Sequence, residues 1–136
     1  MKKRKQAAGR LTDLELEIMN VIWELGETTI SEVNQILGET SKKHAYTTTA
    51  TMMKILEKKK FLKSKKKERA HKYTPSVTKD IYEGNAINHI VDNVFEGASA
   101  KLVMKLLDDT KLNREELIEI EKLLNQGLVI SFSKVS

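Results

Sequence analysis

The chain has no cysteine among its 136 residues. Disulfides, thiolate metal sites and thiol nucleophiles are therefore excluded, and the absence fits a reducing compartment. Proline occurs once, at Pro75, and aromatic residues make up only 5% of the chain. With so few large rings, small lobes are expected to need each other or a second chain for stability. Gly26, Gly38, Gly84, Gly97 and Gly127 stand singly at predicted helix ends, so no phosphate-cradling loop is present. His44, His71 and His89 are scattered, without the spacing of a metal site. Asp108-Asp109 reads as a helix-ending turn, and the threonines at 47 to 49 and 51 have no base paired with them in sequence. The pattern supports no catalysis, metal or cofactor. No apolar run is long enough to span a bilayer, and Gln6-Ala7-Ala8-Gly9-Arg10 stands where a signal peptide would need its apolar core. A soluble, cytoplasmic protein is expected.

What the chain does have is charge, unevenly placed. Residues 1–75 hold 17 Lys and Arg against 9 Asp and Glu, a net of +8, whereas residues 76–136 hold 7 against 10, a net of −3. A polyanion is the natural partner of the first half. Nucleic acid comes ahead of an anionic membrane, because no basic amphipathic helix rich in Trp, Phe or Leu accompanies the charge.

Residues 1–10 lack periodicity and carry five basic groups, the composition of a disordered basic arm. Thr12-Asp13-Leu14-Glu15 is a capping-box signature, and Leu14, Ile18, Val21, Ile22 and Leu25 form an apolar stripe, with Met19 and Trp23 on its flank and Gly26 as the stop. Thr29-Ile30-Ser31-Glu32 repeats the signature and opens a second helix, with Val33, Ile36 and Leu37 inward and Gly38 as its stop. The third helix starts at Tyr46 and is expected to reach Lys60. One face carries Thr49, Met52, Met53 and Leu56, suited to a core. The other carries Thr47, Thr48, Thr51, Lys54 and Lys58, small hydroxyls and ammonium groups that suit a DNA major groove. Residues 61–65 and 70–75 read as two strands, since Pro75 is incompatible with a helix interior, and Lys66-Lys67-Glu68-Arg69 forms a basic tip. A hairpin directly after the third helix of a helix-turn-helix is a wing. Arg69, with Lys65, Lys66 and Lys67, is placed to meet the sugar-phosphate backbone or the minor groove, Arg69 being the strongest candidate.

Beyond Pro75 three further helices are predicted. Thr78 caps the first, which ends near Gly97; Ser99 starts the second; Asn113-Arg114-Glu115-Glu116 opens the third, with Gly127 as its stop. Their apolar positions, among them Ile87, Ile90, Val91, Val94, Leu102, Val103, Leu106, Leu117, Ile120 and Leu124, are too many to bury within about sixty residues. A homodimer through this region would cover them. The expected fold is mainly α with a small β-hairpin wing. Its parts are a basic arm (1–10), a winged helix-turn-helix lobe (11–76), a three-helix dimerisation lobe (77–127) and an apolar tail (128–136).

Leu11-Thr12-Asp13-Leu14-Glu15 with Ile22-Trp23, Tyr46-Thr47-Thr48-Thr49-Ala50-Thr51, Leu56-Glu57-Lys58-Lys59 and Tyr73-Thr74-Pro75, taken in this order and spacing, resemble the BlaI/MecI/CopY penicillinase-repressor family. The resemblance runs from Leu11 to about Gln126. It implies a dimeric repressor on a palindromic operator, with DNA contacts at Thr47, Thr48, Ala50 and Thr51, next to Tyr46, and on the wing around Arg69. Some relatives carry Lys and Arg where Thr47 and Ala50 stand, so base preference is expected to differ. Many relatives have glycine at the place of Lys60. The copper-responsive switch of the family needs cysteines and is excluded. In the β-lactam branch a membrane sensor protease cuts the dimerisation lobe at an Asn-Phe bond, and Lys105-Leu106 stands at that place here. The alternative from another class is a winged-helix module that binds protein and keeps its basic face for solubility.

Overall fold

The structure, a computed structural model, describes residues 10–108 and 112–135, with side chains described through Leu128. Residues 1–9 of the basic arm, Asp109 and the side chains of most of the apolar tail lie outside the described residues. The element order is α1 (Asp13–Leu25), α2 (Ile30–Thr40), α3 (Tyr46–Lys58), β1 (Leu62–Lys67), β2 (Ala70–Pro75), α4 (Lys79–Asn93), α5 (Ser99–Asp108) and α6 (Arg114–Val135).

Helix starts follow the capping chemistry. At α1 the Glu15 N–H donates to Thr12 Oγ1 at 3.3 Å while the Thr12 N–H donates to Glu15 Oε1 at 2.8 Å. Thr29 and Glu32 exchange the same pair of bonds at α2, and Asn113 and Glu116 at α6. The Ile81 N–H donates to Thr78 Oγ1 at the start of α4. Each arrangement satisfies amides that a helix start would leave open.

Helix ends follow composition less faithfully. Gly26 ends α1 with φ 85° and an N–H bond to the Ile22 carbonyl. Gly38, by contrast, is no stop. α2 runs through it to Thr40, because Leu37 is buried and the Thr40 hydroxyl donates to the Ile36 carbonyl at 2.8 Å. Gly84 and Gly127 likewise lie inside helices, α4 and α6, the second continuing to Val135, so the expectation of a helix end at either is corrected. A lone glycine costs a helix only about 1 kcal/mol, too little to end one that neighbouring turns sustain. α3 stops at Lys58, two residues before the expected Lys60, and α4 ends at Asn93, before Gly97.

β1 and β2 pair antiparallel, from Leu62 opposite Pro75 to Lys67 opposite Ala70. Lys66 and Lys67 are thus strand residues, and the tip is the two-residue turn Glu68-Arg69, with Glu68 at φ 58°. Thr28 adds a short third rung, its N–H and C=O bonding the backbone of Tyr73 at 3.0 and 2.7 Å.

The chain divides into two compact units, Met1–Asn88 and His89–Ser136, with the division inside α4. In the first, Ile18, Met19 and Ile22 of α1, Val33 and Leu37 of α2 and Met53 and Leu56 of α3 pack with Phe61, Leu62, Tyr73 and Val77. Met19, expected on the flank, is fully buried, while Leu25, expected in the stripe, is exposed. Tyr82 from the first half of α4 closes this core, with its ring 5.7 Å from Trp23 and 5.8 Å from Phe61, and Trp23 Nε1 donates to the Val77 carbonyl at 2.8 Å. In the second unit Val91 is buried, and most other apolar side chains of α5 and α6 are exposed.

Candidate nucleic-acid interface

α3 separates its residues by face. Thr49, Met53 and Leu56 are buried and Met52 is half-buried, whereas Tyr46, Thr47, Thr48, Thr51, Lys54 and Lys58 are exposed and Ala50 is half-buried. The buried Thr49 hydroxyl donates to Asn34 Oδ1 of α2 at 2.5 Å, which fixes the rotation of α3 about its axis. The N-cap of α3 is Ala45, which offers no side-chain hydrogen bond. On the wing, Lys65, Lys66, Lys67 and Arg69 are all exposed. Lys65 stands directly opposite Lys72, and Lys66 opposite His71. The like charges of Lys65 and Lys72 oppose each other, and the carboxylate of Glu32 interacts electrostatically with Lys72.

Charge within this unit is divided by element. Residues 11–41 contain seven Asp and Glu and no Lys, Arg or His, while residues 42–75 contain twelve Lys and Arg and two Glu. Two ion pairs join the halves. Lys59 Nζ lies 2.8 and 2.9 Å from the Glu15 carboxylate oxygens, and Lys67 Nζ lies 3.0 Å from Glu27 Oε2. Burial by itself would raise the Glu15 pKa; Lys59 and the Thr12 amide outweigh it and hold the carboxyl below its usual range. Glu32 is also held low, by the Thr29 amide and the Thr28 hydroxyl. Burial pushes the Tyr73 phenol up.

These ion pairs, the Asn34–Thr49 bond and the Thr28–Tyr73 rung had no local signature, since their partners lie 15 to 45 positions apart in sequence. The β-branched Thr28-Thr29 pair was the nearest thing to a signal. Lys67, expected to meet DNA, has Glu27 as its partner within the chain, which lessens its free charge without burying it.

Of the positions expected to pair two chains, Ile87, Ile90, Val94, Val103, Leu106, Leu117 and Leu124 are exposed, up to 68% at Val94, and Leu102 and Ile120 are half-buried. Val91 differs. At 7% exposure it is already covered within the single chain, so it is not a surface residue. Among the described residues no group of His, Asp and Glu is arranged to hold a metal, and no helix is long and apolar enough to cross a membrane.

The family model for the penicillinase repressor matches residues 11–126. The chain belongs to the penicillinase repressor family. As a member it is a DNA-binding transcriptional repressor of the winged-helix type and not an enzyme. It is 30% identical over 117 residues to the penicillinase repressor of Bacillus licheniformis, covering 86% of this chain and 91% of that one. It is 24% identical over 118 residues to the methicillin resistance regulatory protein MecI of Staphylococcus aureus, covering 85% and 94%. Among solved structures it is similar to the DNA-binding domain of the repressor BlaI, at 34% identity with a TM-score of 0.49, over 58% of this chain and 94% of that one. It is also similar to monomeric B. licheniformis BlaI in complex with the blaP half-operator, at 35% identity with a TM-score of 0.48, over 55% and 90%.

Proposed function

We propose that this repressor acts as a homodimer on a palindromic operator, placing two copies of α3 in successive major-groove segments and occluding the promoter. Residues 11–76 serve as the reading lobe and residues 77–127 as the pairing lobe. Thr47, Thr48, Ala50 and Thr51, with Tyr46 beside them, meet base edges; Lys54, Lys58, Lys65, Lys66, Lys67 and Arg69 supply phosphate contacts. The observation that carries the assignment is the face of α3: hydroxyls and ammonium groups are exposed together on the side opposite a buried Thr49–Met53–Leu56 stripe.

Pairing is supported by the exposed apolar side chains of the second unit, with Val94 at 68% and Leu124 at 63% exposure. Ile87, Ile90, Leu102, Val103, Leu106, Leu117 and Ile120 complete the proposed contact set. Such a density of uncovered aliphatic surface is uncommon on a monomer. The working compartment is the cytoplasm. A membrane sensor protease or its effector is a candidate partner for relief of repression, and exposed Lys105-Leu106 on α5 is the bond to examine, alongside cutting at another bond and control without cutting.

The test is a gel-shift titration at several salt concentrations, on a duplex selected by the wild-type protein and on random duplex. Thr48→Ala should weaken the selected duplex more than the random one, whereas Lys66→Ala should weaken both alike and lower the salt slope by about 1. Equal loss on both duplexes for Thr48→Ala would overturn the readout assignment. Binding to no duplex at all would favour the protein-binding alternative.

A further inference from the structure

We infer that the Glu15–Lys59 ion pair is a positioning device for operator recognition, holding the end of the reading helix and the root of the wing in one fixed relation. The inference rests on the reading of α3 and the wing as the DNA-contacting elements. Three consecutive lysines, Lys58, Lys59 and Lys60, follow the reading face. Lys58 and Lys60 are exposed, but Lys59 turns inward and meets both oxygens of Glu15, which is itself 2% exposed. The Thr12 N–H also donates to Glu15 Oε1 at 2.8 Å, so the carboxylate is anchored by the start of its own helix as well as by Lys59.

The pair sits where the chain changes direction. Lys59 is the C-cap of α3, with its N–H bonded to the Ile55 carbonyl at 2.9 Å. Lys60 follows with φ 72°, in the left-handed region, and the Phe61 N–H returns to the Leu56 carbonyl at 2.9 Å. Phe61 is buried, and β1 begins at the next residue. Movement at this corner would alter the angle between the reading helix and the wing, and with it the simultaneous fit of both to a duplex.

Only the Glu15 side of the pair is buried, at 2% exposure against 34% for Lys59; such a pair contributes little net stability compared with an apolar replacement, and its better-attested use is to select one geometry. Here that use separates two properties. Non-specific affinity depends on the number of exposed cations, to which a paired Lys59 adds little. Discrimination depends on where α3 and the wing stand.

The experiment uses the full chain and two probes: a duplex enriched from a random library by the wild-type protein, and a scrambled duplex of equal length and composition. Glu15→Gln keeps an oxygen for the Thr12 N–H, as capping boxes accept Gln as well as Glu, and removes the charge together with one of the two oxygens that Lys59 meets. Affinity for the enriched duplex should fall about tenfold, while affinity for the scrambled duplex stays equal or rises as Lys59 is freed. Lys59→Gln should show the same loss on the enriched duplex, Lys59→Arg should retain most of the affinity, and Glu15→Gln with Lys59→Gln should lose no more than either single change. Thermal melting of each variant identifies unfolding, and Lys59→Gln, which can still donate to Glu15, serves if Glu15→Gln does not fold. Enriched-duplex binding within twofold of wild type in both single Gln variants, or an equal loss on both probes, overturns the positioning role. If the wild-type protein enriches no sequence at all, the DNA-reading assignment itself fails, an outcome distinguishable from failure of the pair.

Discussion

The unit Met1–Asn88 and the unit His89–Ser136 handle their apolar residues in opposite ways. In the first, residues from three helices, the hairpin and the start of α4 meet in one closed cluster, and most of the exposed surface among the described residues is charged and polar, with Leu25, Tyr46, Ile81 and Ile87 as large apolar exceptions. In the second, the described part buries Val91 and leaves Val94, Val103, Met104, Leu123 and Leu124 at 49% exposure or more. Forty-eight residues are few to close a core, and the apolar side chains left exposed there are the ones the proposed homodimer would cover.

The sharpest test of that contrast is Ile22→Ala, at a fully buried position of the closed core. It should destabilise the chain by about 2–5 kcal/mol in chemical denaturation. A loss below about 1 kcal/mol would mean that the core is looser than its burial indicates. Next comes Leu124→Asp, on the open unit. For a monomer, an exposed leucine could be exchanged almost without consequence. For the dimer, sedimentation should show monomers, and operator affinity should fall on the order of 100-fold as the two half-sites are no longer engaged together. An unchanged sedimentation profile would break the comparison.

A smaller effect follows from the carboxylates. Glu15 and Glu32 have pKa values lowered in the folded chain. Their contribution to stability is fully present above the ordinary carboxylate pKa and is lost as pH falls through the depressed folded value. Melting temperature should therefore decline as pH falls below about 4.5, and in Glu15→Gln that decline should be shallower. Identical slopes would show that Glu15 does not report the state of the first unit. The smallest effect is expected at Lys60. A non-glycine residue at φ 72° is strained, so Lys60→Gly should raise stability by up to about 1 kcal/mol, read as a small upward shift in melting temperature.

Much of this architecture was legible in local chemistry. The Thr12/Glu15, Thr29/Glu32 and Asn113/Glu116 boxes sit where a Ser, Thr or Asn precedes a Glu by three residues, a signal complete within one helical turn. The two faces of α3 follow from its period, and the hairpin from Pro75 and the strand pattern around a polar tip. Stops were less legible. Gly38 and Gly127 resemble Gly26 in sequence, but only Gly26 takes the left-handed conformation, and packing by later residues decides which glycine ends a helix. For the candidate interface, residue types and exposure could be anticipated; partners could not. Lys67 was one more cation of the wing until Glu27, forty residues earlier, came beside it.

The sequence by itself determined where helices begin, which face of α3 is polar, that the basic charge belongs to the first half, and that the second half has more apolar surface than it can bury. These are properties of neighbours within a few residues, or of composition. Tertiary structure alone decided that Glu15 meets Lys59, that Asn34 receives the Thr49 hydroxyl, that Thr28 adds a rung to the wing and that Val91 is covered while Val94 is not. The first three of those depend on segments far apart in the chain arriving within about 3 Å. No local periodicity encodes such a meeting; it is set when the shared core closes.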